Sequence, residues 1–169
     1  FRECSDADIL VFNLIEKKPR RYINKKIKRV RWYNYAKYGA ARLAVRREAL
    51  LKSGIRFSLI FGGGAKYGSG EDTVFLSDCL KKGLKIYAVP YALAEIDQDA
   101  ASTWFSGYNN KYFNDKGALY KCLHPALWPV FMLRFLVNII RKSENSISFF
   151  NAMKLMTSGA VHFRTETEE

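Results

Sequence analysis

The sequence predicts an α/β fold with a helical extension at its C-terminal end. Short apolar runs typical of buried strands alternate with helical patterns through the first hundred residues, and residues from about 117 to 160 carry helical patterns alone. Of the 169 residues, 49% are hydrophobic, which argues for a well-buried core and against disorder. We therefore expect one domain over residues 1–116 and a helical extension over residues 117–169.

The first predicted elements are two strands, a helix and an extended segment. The nearly continuous apolar run ADILVFNL (7–14) is typical of a buried strand. Alternating Leu43 and Val45 indicate a second strand that leads into a helix ending at Gly54. The segment IRFSLIF (55–61) alternates strictly, which predicts an extended stretch. Its expected apolar face consists of Ile55, Phe57, Leu59 and Phe61.

A second helix and strand follow. The segment EDTVFLSDCLKKG (71–83) predicts a helix, because its apolar residues are spaced four apart and its lysines lie at the negative end of the helix dipole. Gly83 is expected to end this helix. The run LKIYAVP (84–90) predicts a strand stopped by Pro90, with residues 91–96 as a candidate continuation.

The C-terminal part predicts helices. Ser102 and Thr103 are N-cap candidates for a helix over residues 102–113. The apolar stretch 126–140 is shorter than the roughly 20 residues needed to span a bilayer. We expect it to form a buried helix, with an interfacial membrane helix as the second interpretation. Three aromatic residues of the region repeat every fourth position, a pattern more typical of a core than of a ligand platform: Trp104, Tyr108 and Tyr112.

Cysteine content and the N-terminal residues give two further expectations. Cys4, Cys79 and Cys122 are an odd number without C-x-x-C spacing, which favours reduced thiols over a metal site or a disulfide scaffold. The first residues, FRECSDADIL, form neither a signal peptide nor a start methionine. We therefore expect the chain to be a fragment of a longer protein.

The net charge of +12 is concentrated in one segment. Lys17 to Arg31 contains nine basic residues and no acidic one. Such a run can face solvent, or it can bind nucleic acid, anionic lipid or an anionic substrate. Because Trp32, Tyr33 and Tyr35 follow it, a non-enzymatic module that binds nucleic acid or an anionic membrane surface through residues 17–35 is one functional hypothesis.

A glycine-rich loop, GGGAKYGSG (62–70), precedes the adjacent acids Glu71 and Asp72. It does not match the phosphate-binding P-loop, because Lys66 is followed by Tyr67 rather than by Ser or Thr. It does not match the dinucleotide fingerprint either, and acids at the helix start would repel a phosphate.

Two roles are open for the acids at the start of this helix. They can simply be stabilised by the helix dipole, by a few tenths to about 1 kcal/mol. Alternatively, Asp72 lies on the helix side of Phe75, Leu76 and Cys79, so we expect it to point toward the core. A carboxylate held by a helix beside a pliable loop suits a general base that accepts a proton from a hydroxyl.

The stretch RLAVRREALLKSGIRFSLIFGGGAKYGSGEDTVFLSDCLKKGLKIYAVP (42–90) resembles the second half of family 2 glycosyltransferases, which are inverting enzymes with the GT-A fold. The weaker flanks are similar to bacterial polysaccharide members. The resemblance implies a partial GT-A-like mixed sheet with flanking helices, in which Asp72 is the catalytic base. It implies that Glu71 and Gly70 position the acceptor or brace the loop, and that Trp104 could stack on a sugar ring.

The resemblance also implies a nucleotide-sugar donor, a saccharide or lipid-linked acceptor, and a cytoplasmic location with peripheral contact to the inner face of the membrane. A divalent metal, Mg or Mn, on a D-x-D motif is expected in the full-length enzyme. Here Asp6 and Asp8 precede a strand, and we interpret them as surface acids; Asp97 and Asp99 are interpreted as a turn. The nucleotide-binding half is thus expected to be absent, and we expect neither metal binding nor sugar transfer by this fragment alone.

Overall fold

A computed structural model describes residues 1–17, 21–96, 107–140 and 147–164. Two compact units make up the chain, one from Phe1–Ser58 with Glu71–Ser102 and one from Leu59–Gly70 with Thr103–Glu169. The expected boundary between residues 116 and 117 falls inside a helix of the second unit, α3 (Asn110–Leu123). The two units are therefore not consecutive in the sequence. The glycine-rich loop (62–70) belongs to the same unit as the C-terminal helices.

The first unit contains a four-stranded mixed sheet, which confirms the predicted α/β class. Its strands are β1 (Ile9–Ile15), β2 (Lys28–Arg29), β3 (Leu43–Val45) and β4 (Ile86–Glu95). Their order is β2-β4-β1-β3, with β1 parallel to β4 and the two outer pairings antiparallel. The central strands are the two most apolar runs of this part of the chain, and their first residues, 9–11 and 86–89, are largely buried, as is usual for parallel strands.

Pro90 does not end its strand, so the predicted stop at that residue is wrong, and the candidate continuation over residues 91–96 is confirmed as far as Glu95. Val11 pairs with Ala88 and Asn13 pairs with Ala92, so β4 holds two extra residues between these positions. Proline is tolerated at such a bulge because the bulged residues need not donate to the ladder. The strand therefore continues to Glu95.

Two helices of the first unit match the predictions. The first, α1 (Arg47–Ser53), ends at Gly54, which has a left-handed φ of 68°. The second, α2 (Glu71–Lys81), is followed by Gly83 at φ 84°. The helix α2 packs its apolar side onto the sheet through three fully buried residues, Phe75, Leu76 and Cys79. Burial of Phe75 or Leu76 contributes about 1.5–3 kcal/mol each, and burial raises the pKa of the Cys79 thiol to about 12.

The segment 55–61 was expected to be extended with one apolar face; it forms no strand, and its expected apolar face is not uniform. Residues 55–60 belong to no helix or strand, and Phe61 forms only an isolated bridge with Tyr67. Phe57 stacks on Phe75 at 4.2 Å between ring centroids, whereas Leu59 is 84% exposed. The chain passes from one compact unit to the other at this segment, so its side chains meet different surroundings despite their alternation.

The second unit contains α3, α4 (Trp128–Ile140) and α5 (Phe149–Val161). The predicted caps Ser102 and Thr103 lie outside the described residues, and the helix there begins at Asn110 with the Asn109 side chain accepting from the Tyr112 nitrogen at 2.8 Å. Two glycines, Gly117 and Gly159, allow α3 and α5 to cross closely. A Cβ at either position would lie 1.9 Å from a backbone oxygen of the other helix.

The apolar stretch 126–140 forms α4, and only one face of this helix is buried. Met132 and Leu136 belong to the core of the second unit. The opposite face exposes Leu127, Val130, Leu133 and Val137. The expectation of a buried helix is therefore correct for half of the helix. Among the described residues, no helix is both long and apolar enough to cross a bilayer.

Candidate active site

Asp72 lies in the first turn of α2 and is partly buried. Its carboxylate oxygen Oδ2 accepts a hydrogen bond of 3.1 Å from the backbone nitrogen of Ala40. Among the described residues, Oδ1 has no hydrogen-bond partner. One oxygen is thus fixed by the backbone, and the other remains available to accept a proton.

Gly39 makes this contact possible. A Cβ at position 39 would lie 3.1 Å from Oδ2 of Asp72, closer than most real Cβ contacts. The backbone φ of Gly39 is −106°, which any residue can adopt, so glycine is needed here for space rather than for conformation. Sequence reasoning missed Gly39 and Ala40. The only signal was the run of small residues after an aromatic-rich stretch.

Glu71 is the first residue of α2 and is also partly buried. It makes no hydrogen bond or ion pair with another described residue. Burial raises the pKa of Glu71, and the neighbouring charge of Asp72 raises it further. The two acids of the pair therefore differ: the backbone holds one, and the other is held by no described side chain.

Gly70 belongs to the second unit and is constrained in two ways. Its φ is 116°, a value that residues with a side chain rarely adopt. A Cβ at this position would lie 2.7 Å from Cδ1 of Leu119 on α3. A residue with a side chain at position 70 would therefore be strained and would clash with Leu119, which explains why glycine precedes α2.

The glycine-rich loop is more constrained than its composition suggests. The Gly62 nitrogen donates to the Tyr67 oxygen at 2.9 Å, and the rings of Phe61 and Tyr67 stack at 5.0 Å. The Gly68 nitrogen donates to Oδ2 of Asp115 at 2.8 Å. These contacts fold the loop on itself and hold it against α3. The loop is rich in glycine, as the sequence shows, but its backbone is held by hydrogen bonds and ring stacking rather than being pliable.

Asp115 is the residue that holds this loop, and sequence reasoning missed it. It is buried on α3, and the ammonium of Lys111 lies 2.6 Å from its Oδ2. Lys111 also donates to the Lys66 oxygen at 2.9 Å. The only sign of Asp115 in the sequence was an acidic residue among the apolar residues of a predicted helix.

The remaining candidates from the sequence have different outcomes. Trp104, Asp97 and Asp99 lie outside the described residues. Asp6 is a surface acid, as expected, with Oδ2 3.3 Å from the Lys85 ammonium. Asp8 is not a surface acid: it is partly buried, and its carboxylate accepts from the Lys85 nitrogen at 2.7 Å. It therefore fixes the start of β1 beside the start of β4.

The basic segment lies largely on the surface of the first unit. Its described cations are exposed or partly exposed, while Asn24 and Val30 anchor it in the interior. Asn24 donates to the Val11 and Val89 oxygens and accepts from the Tyr38 hydroxyl, joining β1 to β4. A solvated basic face held by a few buried residues accounts for the described part of the segment.

Over residues 1–17, 21–96, 107–140 and 147–164, no group of three or more His, Cys, Asp and Glu side chains could hold a metal ion.

Among the described residues, the first unit offers a carboxylate, that of Asp72, with one fixed and one available oxygen beside a second acid, Glu71, that has no ion pair. A comparison with protein-family models finds no match to this chain, and a comparison with curated proteins finds none either.

Proposed function

We propose that the chain carries the acceptor side of an inverting family 2 glycosyltransferase with a GT-A-like fold, and that Asp72 is its general base. One observation carries the proposal: Oδ2 of Asp72 is held by the Ala40 nitrogen, while Oδ1 has no partner among the described residues. The resemblance over residues 42–90 and the parallel pairing of β1 with β4 support it.

In the proposed reaction, Oδ1 of Asp72 accepts the proton of an acceptor hydroxyl. The hydroxyl oxygen forms a bond to the anomeric carbon of a nucleotide sugar, from the face opposite the leaving group. The bond from that carbon to the phosphate oxygen breaks, and its electron pair leaves with the diphosphate. The product sugar therefore has the opposite anomeric configuration to the donor.

The test uses the full-length enzyme that the resemblance implies. It is incubated with nucleotide sugars and saccharide or lipid-linked acceptors, and the anomeric configuration of the product is determined by NMR. We expect transfer with inversion that Asp72→Asn abolishes. The matched control is Asp78→Asn on the same helix, because the Asp78 side chain is half-exposed and its carboxylate pairs with Lys81 at 3.3 Å. Retained transfer in Asp72→Asn, or a product of retained configuration, would contradict the proposal.

A second candidate function is binding of single-stranded nucleic acid through residues 17–35. The observation that favours it is the exposure of Trp32 and Tyr33, 69% and 64%, next to the basic segment. Tyr35, in contrast, is buried in the core. Titration with short oligonucleotides tests this candidate: a salt-dependent quench of Trp32 fluorescence would favour it, and no quench at low salt would exclude it.

We propose that the protein works on the cytoplasmic side in peripheral contact with an anionic membrane. The exposed apolar stripe of α4 contains Val130 and Leu133, with Arg134 beside it. Residues 116–143 contain five Lys or Arg and no acid, which suits an anionic lipid surface. Flotation with phosphatidylglycerol vesicles is expected to recover the protein, and Val130→Ser with Leu133→Ser to reduce recovery. Equal recovery with phosphatidylcholine vesicles would contradict the charge argument.

A further inference from the structure

Arg42 is an unusual buried charge in the first unit. It is 2% exposed and forms no ion pair with a described carboxylate. Its Nε donates to the Phe12 oxygen at 2.6 Å and its Nη2 to Oδ1 of Asn13 at 3.2 Å, while Nη1 has no hydrogen-bond partner among the residues that the structure describes. The Tyr38 ring centroid lies 5.3 Å from the guanidinium carbon. Burial lowers the pKa of Arg42, because an unmatched interior charge is unfavourable.

Arg42 lines a cavity of about 220 Å³. The cavity lies at the carboxyl end of β1, the edge of a parallel sheet at which ligands collect. A second guanidinium, that of Arg21, contributes to the lining and is half-exposed. The other described residues of the lining are Asn13, Leu14, Ile15, Glu16, Tyr22 and Ile23. The cavity wall therefore combines two guanidinium groups with the apolar side chains of Leu14, Ile15 and Ile23.

Glu16 is the one acid among the described lining residues, and its charge is already matched. Its side chain is 3% exposed and forms an ion pair with Arg21. The Arg21 backbone nitrogen donates to the other carboxylate oxygen at 3.1 Å. Among the described lining residues, Arg21, Arg42 and Glu16 leave an excess of one positive charge, and Arg42 is the cation that pairs with no described carboxylate.

We propose that this cavity binds a phosphate group, with Arg42 and Arg21 as its cationic ligands. The tetrahedral oxygens of a phosphate can meet two guanidinium groups that come from different segments of the chain, and guanidinium groups match phosphate well. At about 30 Å³ per water, the cavity holds on the order of seven waters. This is more space than a phosphate alone requires, so the apolar lining provides room for the organic part of a phosphate ester. The site does not require Asp72 and stands apart from the proposed transferase activity.

The test follows the Arg42 Nε–Hε cross-peak by NMR during titration with inorganic phosphate and, separately, with phenyl phosphate at constant ionic strength. We expect a saturable shift, and tighter binding of phenyl phosphate identifies an ester as the ligand class, whereas equal binding identifies free phosphate. Arg21→Gln should weaken binding about tenfold through loss of a charge-assisted contact. The matched control Arg31→Gln removes an exposed cation outside the cavity and should leave binding unchanged.

A second variant, Arg42→Met, should abolish binding while the protein remains folded, because it removes an unmatched buried charge. If this variant does not fold, the cross-peak titration of Arg21→Gln still decides. No saturable shift of Arg42 with either probe would overturn the proposal. Equal weakening by Arg21→Gln and Arg31→Gln would also overturn it, since it would show general charge attraction.

Discussion

The backbone nitrogen of Ala40 lies 3.1 Å from Oδ2 of Asp72 and donates a hydrogen bond to it. This contact joins the first turn of α2 to the short 3₁₀ turn Ala40–Arg42 that precedes β3. The proposed base is therefore oriented by backbone, which a side-chain substitution at position 40 does not remove. The same turn ends at Arg42, so the two proposed sites of the first unit share one structural element.

Gly39→Ala should lower the rate of sugar transfer. The added Cβ would lie 3.1 Å from Oδ2 of Asp72, so the carboxylate must move by a few tenths of an ångström. Because catalytic groups are sensitive to position, we expect a loss in kcat of about tenfold. Steady-state kinetics of the full-length enzyme measure this effect.

The matched control is Gly68→Ala, in which the added Cβ would make an ordinary contact of 3.5 Å with Asp115. The control should retain its kcat. If Gly39→Ala is as active as the control, the position of the Asp72 carboxylate does not limit transfer.

Glu71→Gln should stabilise the protein at neutral pH. Burial and the charge of Asp72 raise the pKa of Glu71, so the folded protein binds this proton more tightly than the unfolded chain does. Stability from this group is present below its unfolded pKa, about 4.3, and is lost as the pH rises through the folded value. Glutamine is uncharged at any pH and avoids that loss.

Urea unfolding of both proteins measures this difference. The variant should be the more stable at neutral pH, and the difference should disappear below about pH 4. A difference independent of pH would show that the charge of Glu71 is not its cause.

Gly70→Ala should destabilise the second unit. An alanine at φ 116° is strained, and its Cβ would lie 2.7 Å from Leu119. We expect a loss of about 1–3 kcal/mol in the free energy of unfolding. In a Leu119→Ala background the steric part should disappear while the backbone strain remains. An equal cost of Gly70→Ala in both backgrounds would contradict the contact with Leu119.

The predictions that succeeded depend on local patterns. β1, the step from β3 into α1, and α2 with its glycine ends all have periodicity and termination signals within a few residues. The failures depend on partners far along the chain. Pro90 continues its strand because β4 can bulge against β1, and segment 55–61 lacks a partner strand among the described residues.

The candidate site shows the same limit. The position of Asp72 on the buried side of α2 follows from helical spacing. Its partner Ala40 is 32 residues away, and Asp115 holds a loop 47 residues away. The burial of Arg42 was not predictable either, because arginine in a strand-forming segment usually faces solvent. Such contacts depend on the tertiary fold, and short-range patterns do not record them.

The proton transfer from the acceptor hydroxyl to the Asp72 carboxylate is tested by kcat of Asp72→Asn at saturating donor and acceptor. Asparagine retains an oxygen that can accept from the Ala40 nitrogen, so the free energy of unfolding should change by less than about 1 kcal/mol. We expect Asp72→Asn to remain folded and to lose at least about a hundredfold in kcat, because the variant has no base to accept the proton. A kcat close to that of the wild type would contradict it.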